Sequence, residues 1–354
     1  MASDSDRPSQ VKFERSRVTR GLIVSVAFSL VVLIVLYVLV PDKGRTIRSL
    51  THFKTRSWTL AGMLLVGAWL ADAGRLYLLT RGIGKPCGYP TALKAILAGN
   101  FITLITPFLF GGAPVVAYTI KKNRMTWGEA TAVVVGGGIV SQFALLFLAL
   151  WSVFKLKSCG TPFPWERLYG LVIPIYAAGL VVFTVGALRA DLLERWLSNW
   201  LACRRVSPER GRIYRKIEVV VRRLIRYLKE FRNSLRLLAS ENAAYVIASF
   251  LCALAYFGMM FALGPVIMGG LRVRQPWLII FALEVLVYVV AGFTPTPGGS
   301  GVAEFGSLYL LGAIAPVHIV GAFVVVWRFL TFYVSLLIGA VAFMLVLRDI
   351  LKDA

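Results

Sequence analysis

Charge is scarce in this 354-residue chain, and acid is scarcer still: 16% of residues are charged, and 17 Asp/Glu face 39 Lys/Arg, a net charge of +22. Ordinary soluble domains carry about 25% charged and about 45–50% apolar residues, whereas 58% are hydrophobic here, with a mean hydropathy of +0.74. That excludes a water-soluble globular domain and a disordered chain alike. A soluble nucleic-acid binder would account for the basic charge but not for the apolar excess, so no nucleic-acid partner is expected. Histidine is nearly missing: neither His52 nor His318 stands with carboxylates or cysteines at metal-ligand spacing. Cys87, Cys159, Cys203 and Cys252 form no C-x-x-C pair, which argues against a zinc site and a disulfide framework. There is no G-x-x-x-x-G-K-S/T loop for a nucleotide and no discernible Ser/His/Asp or Cys/His arrangement. No metal, cofactor or catalytic residue is expected.

What remains is apolar sequence in long pieces. Uncharged runs cover 21–40, 95–120, 130–154, 168–188, 242–271, 305–327 and 329–347. A bilayer core of about 30 Å takes roughly 20 residues at about 1.5 Å each, so the chain reads as an all-α, polytopic membrane protein. The first run exceeds the roughly 7–15 residues of a signal-peptide core. It ends Tyr37-Val38-Leu39-Val40-Pro41 without a small-residue cleavage site, so it is expected to stay as a helix.

The organisation predicted is a cytoplasmic tail at 1–20, a first membrane half at 21–188, a basic segment at 189–240, a second membrane half at 241–347 and a tail at 348–354. The basic segment holds 14 Lys/Arg against 5 Asp/Glu, a net +9. Within it Ile213, Ile217, Val220, Val221, Leu224, Ile225, Leu228, Phe231 and Leu235 recur at helical spacing with basic residues between them. This pattern predicts a basic amphipathic helix on the cytoplasmic side, with contact to anionic headgroups as a sharper reading that is compatible with it.

Two of the apolar stretches are broken. The stretch 95–120 contains Thr106-Pro107 and then Gly111-Gly112-Ala113-Pro114, and 277–314 contains Thr294-Pro295-Thr296-Pro297-Gly298-Gly299-Ser300-Gly301. Proline removes a backbone donor and glycine weakens a helix interior, so neither is expected as a straight rod. If the tail 1–20 and the segment 189–240 share a side, an even number of crossings separates them. Spans near 21–40, 57–80, 128–154 and 168–188 already supply that even number, so 95–120 should return to the side of Lys121, Lys122 and Arg124. Spans near 243–264 and 317–347 then leave 277–314 to dip in from the opposite face. About six full spans and two oppositely entering re-entrant elements follow, an inverted-repeat-like plan. The basic 41–56 loop falls outside in this scheme, against the positive-inside tendency, a placement that an interfacial amphipathic piece could tolerate.

Gly/Pro-interrupted segments in corresponding halves point to a transporter's substrate site, and non-helical backbone at that depth survives only inside protein or beside water. A polar cavity is therefore expected between the breaks. Its expected lining is Asn100, Thr106, Pro107, Gly111, Gly112 and Pro114 from one element and Thr294, Pro295, Pro297, Gly298, Gly299 and Gly301 from the other. Asn100 and Thr103 share a face with Pro107 and have an alternative role in satisfying freed backbone. Ionisable residues within spans cost about 2.5–3.5 kcal/mol each on insertion scales, so they pair or line a pathway. Asp72 and Arg75, three apart on one face, can pair; Glu284, Glu304 and Arg328 are the others. Glu304 falls in the first turn after Gly301, where the helix dipole favours an acid. The free N–H groups of that helix start could hold an anion such as a lipid phosphate. Gly136-Gly137-Gly138 reads as close helix packing.

Asn100 through Tyr118 (N-F-I-T-L-I-T-P-F-L-F-G-G-A-P-V-V-A-Y), Thr294 through Glu304 (T-P-T-P-G-G-S-G-V-A-E) and Trp327 through Gly339 (W-R-F-L-T-F-Y-V-S-L-L-I-G) resemble the membrane domain of the lysylphosphatidylglycerol synthase/flippase family. The likeness follows order and spacing over nearly the whole chain, and P-G-G-x-G-x-x-E is its most specific part. It implies lipid translocation, because the family's two-function members join a lipid-flipping membrane domain to a soluble transferase that charges phosphatidylglycerol with an amino acid. With Ala354 soon after the last span, no synthase activity is expected; a separate lipid-modifying enzyme is then an implied partner. Relatives of this compact form are also associated with polyprenyl or glycolipid pathways. The expectation is a flippase in a bacterial-type cell membrane that moves an anionic or modified phospholipid, or a polyprenyl-linked or glycolipid. The alternatives are a membrane enzyme using Glu304 and Asp72 on a lipid headgroup, and a non-transporting protein that recruits lipid or protein through 189–240.

Overall fold

The computed structural model describes residues 43–106, 111–122, 124–159, 166–204, 212–273, 276–294 and 296–352, with isolated helical positions between 23 and 34. Most of the first apolar run, together with Pro107 and Pro295, lies outside the described residues. Among the described residues there is no strand, as expected of an all-α membrane protein.

Among the described residues, five helices are long and apolar enough to cross a bilayer. They are α2 (Thr55–Gly82), α5 (Trp127–Ser158), α6 (Glu166–Leu188), α9 (Ala243–Gly270) and the continuous pair α12 (Val317–Arg328) and α13 (Ser335–Lys352). A π-helical turn, Phe329–Val334, joins the last two directly after Arg328. Between these rods sit four short helices: α3 (Tyr89–Ile105), α4 (Gly112–Lys121), α10 (Trp277–Ala291) and α11 (Val302–Gly312). At about 1.5 Å per residue even the longest, with 17 residues, spans only about 26 Å, less than a bilayer core. The breaks foreseen at 106–112 and 294–301 thus divide two apolar stretches into paired short helices.

The pairs fold back because glycine lets them. A Cβ on Gly112 would strike the Gly99 carbonyl and the Thr103 hydroxyl, and one on Gly99 would meet Val116 at 2.6 Å, so α4 lies directly on α3. Likewise α11 returns along α10, with Gly306 facing Val287 and Gly299 facing Ala291. The interior is built from α2 and α9 packed along each other, with α10 and α12 closing on them. In contrast, α6 is peripheral: 11% of its most apolar window is buried, against 44% for α2. Its exposed Leu171, Val182 and Phe183 are what a lipid-facing surface requires.

Two basic segments resolve into distinct structures. The 41–56 region forms α1 (Lys43–Thr51), an amphipathic helix with Thr46 buried and Leu50 packed on the core. The 189–240 segment forms α7 (Ala190–Arg204) and α8 (Arg212–Arg236). Rather than standing apart, the second half of α8 packs along the first turns of α5. A Cβ at Gly128 would meet Glu230 Cβ at 2.5 Å and the Tyr227 carbonyl at 2.8 Å, Ala132 clusters with Phe231 and Leu235, and Gly136 faces Leu235 at 3.3 Å. Small residues every fourth position open a groove for the partner helix, as in close-packed membrane helices. The α7 acids tie the pair together: Glu194 lies 2.7 Å from Arg232 and 3.6 Å from Lys229, and Asp191 lies 4.0 Å from Arg236.

Candidate functional site

Three glycines with positive φ shape the turn before α11: Gly298 at 60°, Gly299 at 64° and Gly301 at 94°. L-residues other than glycine are strained there. The turn is also pressed against its surroundings, since a Cβ on Gly298 would meet the Phe332 ring at 2.8 Å and Leu104 at 3.8 Å. Phe332 belongs to the π-helical turn and Leu104 to the end of α3, so the glycine turn of the second half touches the helix that leads into the break of the first. The two interrupted elements are thereby brought together, as the sequence pattern suggests. On the first element Thr106 donates to the Ile102 carbonyl at 2.7 Å and its side chain abuts Gly111, closing its own helix end. Asn100 is half-buried with no hydrogen bond among the described residues, Gly112 is buried in the helix–helix contact, and Pro114 is exposed. Thr294 turns back to donate to the Ala291 carbonyl at 2.6 Å.

Glu304 and Arg328, 24 positions apart on different helices, meet at the centre of this turn. Their Oε1 and Nε lie 2.7 Å apart, with side chains 0% and 3% exposed. The other Glu304 oxygen accepts from the Gly301 N–H at 2.7 Å, and Arg328 Nη1 donates to the Gly298 carbonyl at 3.1 Å. Arg328 and Glu304 thus hold one end of the glycine turn each, and the guanidinium also lies 5.2 Å from the Trp327 ring and 5.8 Å from the Phe332 ring. Of the two alternatives for a charge within the membrane, Arg328 takes internal pairing, and at the helix start, where free N–H groups are expected for an anion, Glu304 itself takes the Gly301 N–H. The Nε contact is close but not aligned as a hydrogen bond. Arg328 Nε and Glu304 Oε1 face each other as an ion pair, whereas Arg328 Nη2 and the Ser300 hydroxyl are buried without a partner among the described residues. Buried polar groups are normally satisfied, so these two atoms beside one turn mark a place that a polar ligand or water would complete.

The remaining charges lie apart from the turn. Arg75 donates to Asp72 at 2.7 Å within α2, as the spacing predicts, and lies across Gly137 of α5. A Cβ on Gly137 would strike the guanidinium, Gly136 receives α8, and Gly138 faces open space. The three adjacent glycines thus serve two different neighbours. Glu284 of α10 is buried against the backbone of Gly264 in α9, with Oε2 unpartnered. Sequence reasoning missed Leu104, Phe332, Gly264 and Ser300. For Gly264 there was a signal in Gly264-Pro265 inside an apolar helix, a place where close approach or freed backbone is common.

The fold and this turn define an all-α polytopic membrane protein whose interior is organised by two interrupted helix pairs and a buried acid–arginine clamp. Residues 22–339 match the lysylphosphatidylglycerol synthase TM region family, and the chain belongs to that family. A UPF0104 membrane protein of Archaeoglobus fulgidus is 24% identical over 298 residues, covering 82% of this chain and 87% of its own length.

Proposed function

We propose that this chain is a lipid flippase of the cell membrane that moves an anionic or modified phospholipid, or a polyprenyl-linked lipid, between leaflets at the junction of its interrupted helices. The observation that carries the reading is the glycine turn at 298–301. It joins the buried Glu304–Arg328 pair and the unpartnered polar atoms Arg328 Nη2 and Ser300 Oγ to the end of α3. The short helices are read as re-entrant, entering from opposite faces, because each is too short to cross alone and each folds back at glycine. A headgroup at the turn would meet Arg328 Nη2 and the Ser300 hydroxyl while its tails stay in lipid beside the exposed outer helices. Family membership supports a membrane lipid role.

The test is reconstitution into vesicles carrying fluorescent lipids of several headgroups, with the leaflet distribution read by an impermeant quencher. Exchange that rises with protein and falls in Glu304→Gln is expected. Unchanged distribution for every headgroup would overturn the proposal. Appearance of a chemically altered lipid by mass spectrometry would favour the membrane-enzyme reading instead.

A further inference from the structure

Away from the glycine turn, a cleft of about 480 Å³ opens between the end of α4, the start of α5 and the outer face of α8. Three cationic residues from two separated parts of the chain line it, Lys121, Arg223 and Arg226, with Thr126, Thr131 and Tyr227 on the same wall. Glu230 is the single acid on the wall, so the cleft carries an excess of two positive charges. Several other bases of α7 and α8 are used structurally. Arg222 pairs with Glu218 at 2.6 Å, Arg232 and Lys229 with Glu194, and Arg195 with Asp191. Among the described residues Arg223 and Arg226 take no ion pair. The Lys121 ammonium sits 4.5 Å over the Trp127 ring, also with no acid beside it.

That convergence is held in place by packing. Gly128 lets α8 approach α5 to backbone contact, and the Thr126–Glu129 capping box fixes the start of α5, with contacts of 3.2 and 2.8 Å. The Thr126 oxygen accepts the Glu129 N–H, which leaves its O–H to donate elsewhere. Like charges gathered around one cavity repel unless an anion sits among them. Two guanidinium forks, an ammonium and several hydroxyls are the donor set that recognises phosphate oxygens. Trp127 is 44% exposed at the cleft rim, and Val220 and Leu224 of α8 are exposed nearby along the same helix. Such residues favour the boundary between lipid and water.

We propose that this cleft is a binding site for a phosphate group at the headgroup level, distinct from the glycine turn and independent of what happens there. The group is carried either by a phosphomonoester lipid or by a small soluble phosphate; the donor set is the same for both.

The experiment uses the full chain in detergent micelles and reads binding by native mass spectrometry, with dioctanoyl phosphatidic acid, dioctanoylglycerol and inorganic phosphate as probes. Phosphatidic acid should form an adduct that dioctanoylglycerol does not. Arg223→Gln/Arg226→Gln should weaken it by roughly tenfold or more, the scale of losing charge-assisted contacts. Lys121→Gln, on a different helix, should weaken it in the same direction and serves if the double variant does not fold. Arg195→Gln/Arg222→Gln removes the same charge from paired positions and should leave binding within about twofold, since exposed pairs contribute little. Inorganic phosphate binding as tightly, through the same three residues, would identify the soluble source; its failure would identify the lipid. Equal weakening in both double variants, or no phosphatidic acid adduct in the folded protein, would overturn the proposal.

Discussion

Replacing Arg328 by methionine should strand the Glu304 carboxylate in one of the most closed parts of the molecule. Both side chains are essentially inaccessible, at 3% and 0% exposure, and removing one partner from a buried ion pair costs about 3–5 kcal/mol. The change also removes the guanidinium donor to the Gly298 carbonyl, so the glycine turn loses its clamp at that end and keeps only the Glu304 contact to the Gly301 N–H. With an unfolding entropy of about 2.1 cal/mol/K per residue, a chain of this size responds by roughly 1.3 °C per kcal/mol, and Tm should fall by roughly 4–7 °C. Intrinsic fluorescence during heating of the detergent-solubilised protein, at one fixed scan rate, reads this. The informative partner is Arg328→Met/Glu304→Gln, which removes both charges while leaving an amide oxygen to accept the Gly301 N–H. Since an uncharged replacement of a buried pair is often close to neutral, the double variant should recover at least half of the loss. Equal Tm values for the single and double variants would refute the coupling.

Gly298→Ala and Gly301→Ala both impose positive φ on an L-residue, at a cost of about 1–3 kcal/mol. Gly298→Ala should be the worse of the two in the same thermal assay, because its Cβ also strikes Phe332 while that of Gly301 enters open space. Gly264→Ala should displace the Glu284 carboxyl and destabilise by about 1–3 kcal/mol, with Glu284→Ala restoring part of the loss; no restoration would show that the two are not in contact. Cys159, exposed just beyond the end of α5, and the Lys121–Thr126 region at its start are separated by 32 helical residues, about 48 Å. A variant retaining only Cys159 should react with impermeant maleimide from the face opposite the one that protects a tag fused at the C-terminus. Labelling from the tag's own face would refute the odd number of crossings, α6, α9 and α12–α13, between the two positions. Cys87 should stay unlabelled in the folded protein, since burial pushes its thiol up from the ordinary range and keeps it protonated near neutral pH.

The long rods and the two breaks were legible because both are local properties: uncharged length makes a span, and Gly/Pro at a fixed place ends a helix. The Asp72–Arg75 contact was legible for the same reason, being three residues apart on one face. What joins the breaks was not. Arg328 and Glu304 are 24 residues apart on different helices, and nothing in their spacing distinguishes an arginine held by its own protein from one waiting for a headgroup. Phe332 and Leu104 touch Gly298 only because a π-helical turn after Arg328 and the end of α3 happen to be neighbours in space. The amphipathic pattern of α8 was visible, but its seat on Gly128, Ala132 and Gly136 was not. Three successive glycines drew the eye to 136–138, whereas the groove uses every fourth residue.

The net charge of +22 therefore does not have one meaning. Within α8 some bases are bound to the acids of α7 and hold the two helices together, and their contribution to any lipid contact is already diminished by that pairing. Arg328 is bound within the interior, where its charge is compensated by Glu304. Arg223, Arg226 and Lys121 are different in kind, because they are gathered by packing on Gly128 and yet meet a single acid. A positive-inside tendency asks only that bases lie on one side of a membrane; it does not require them to converge on a cleft. Convergence has an electrostatic cost that distributing the same residues along the surface would avoid, and so it calls for an anion that the tendency alone does not supply.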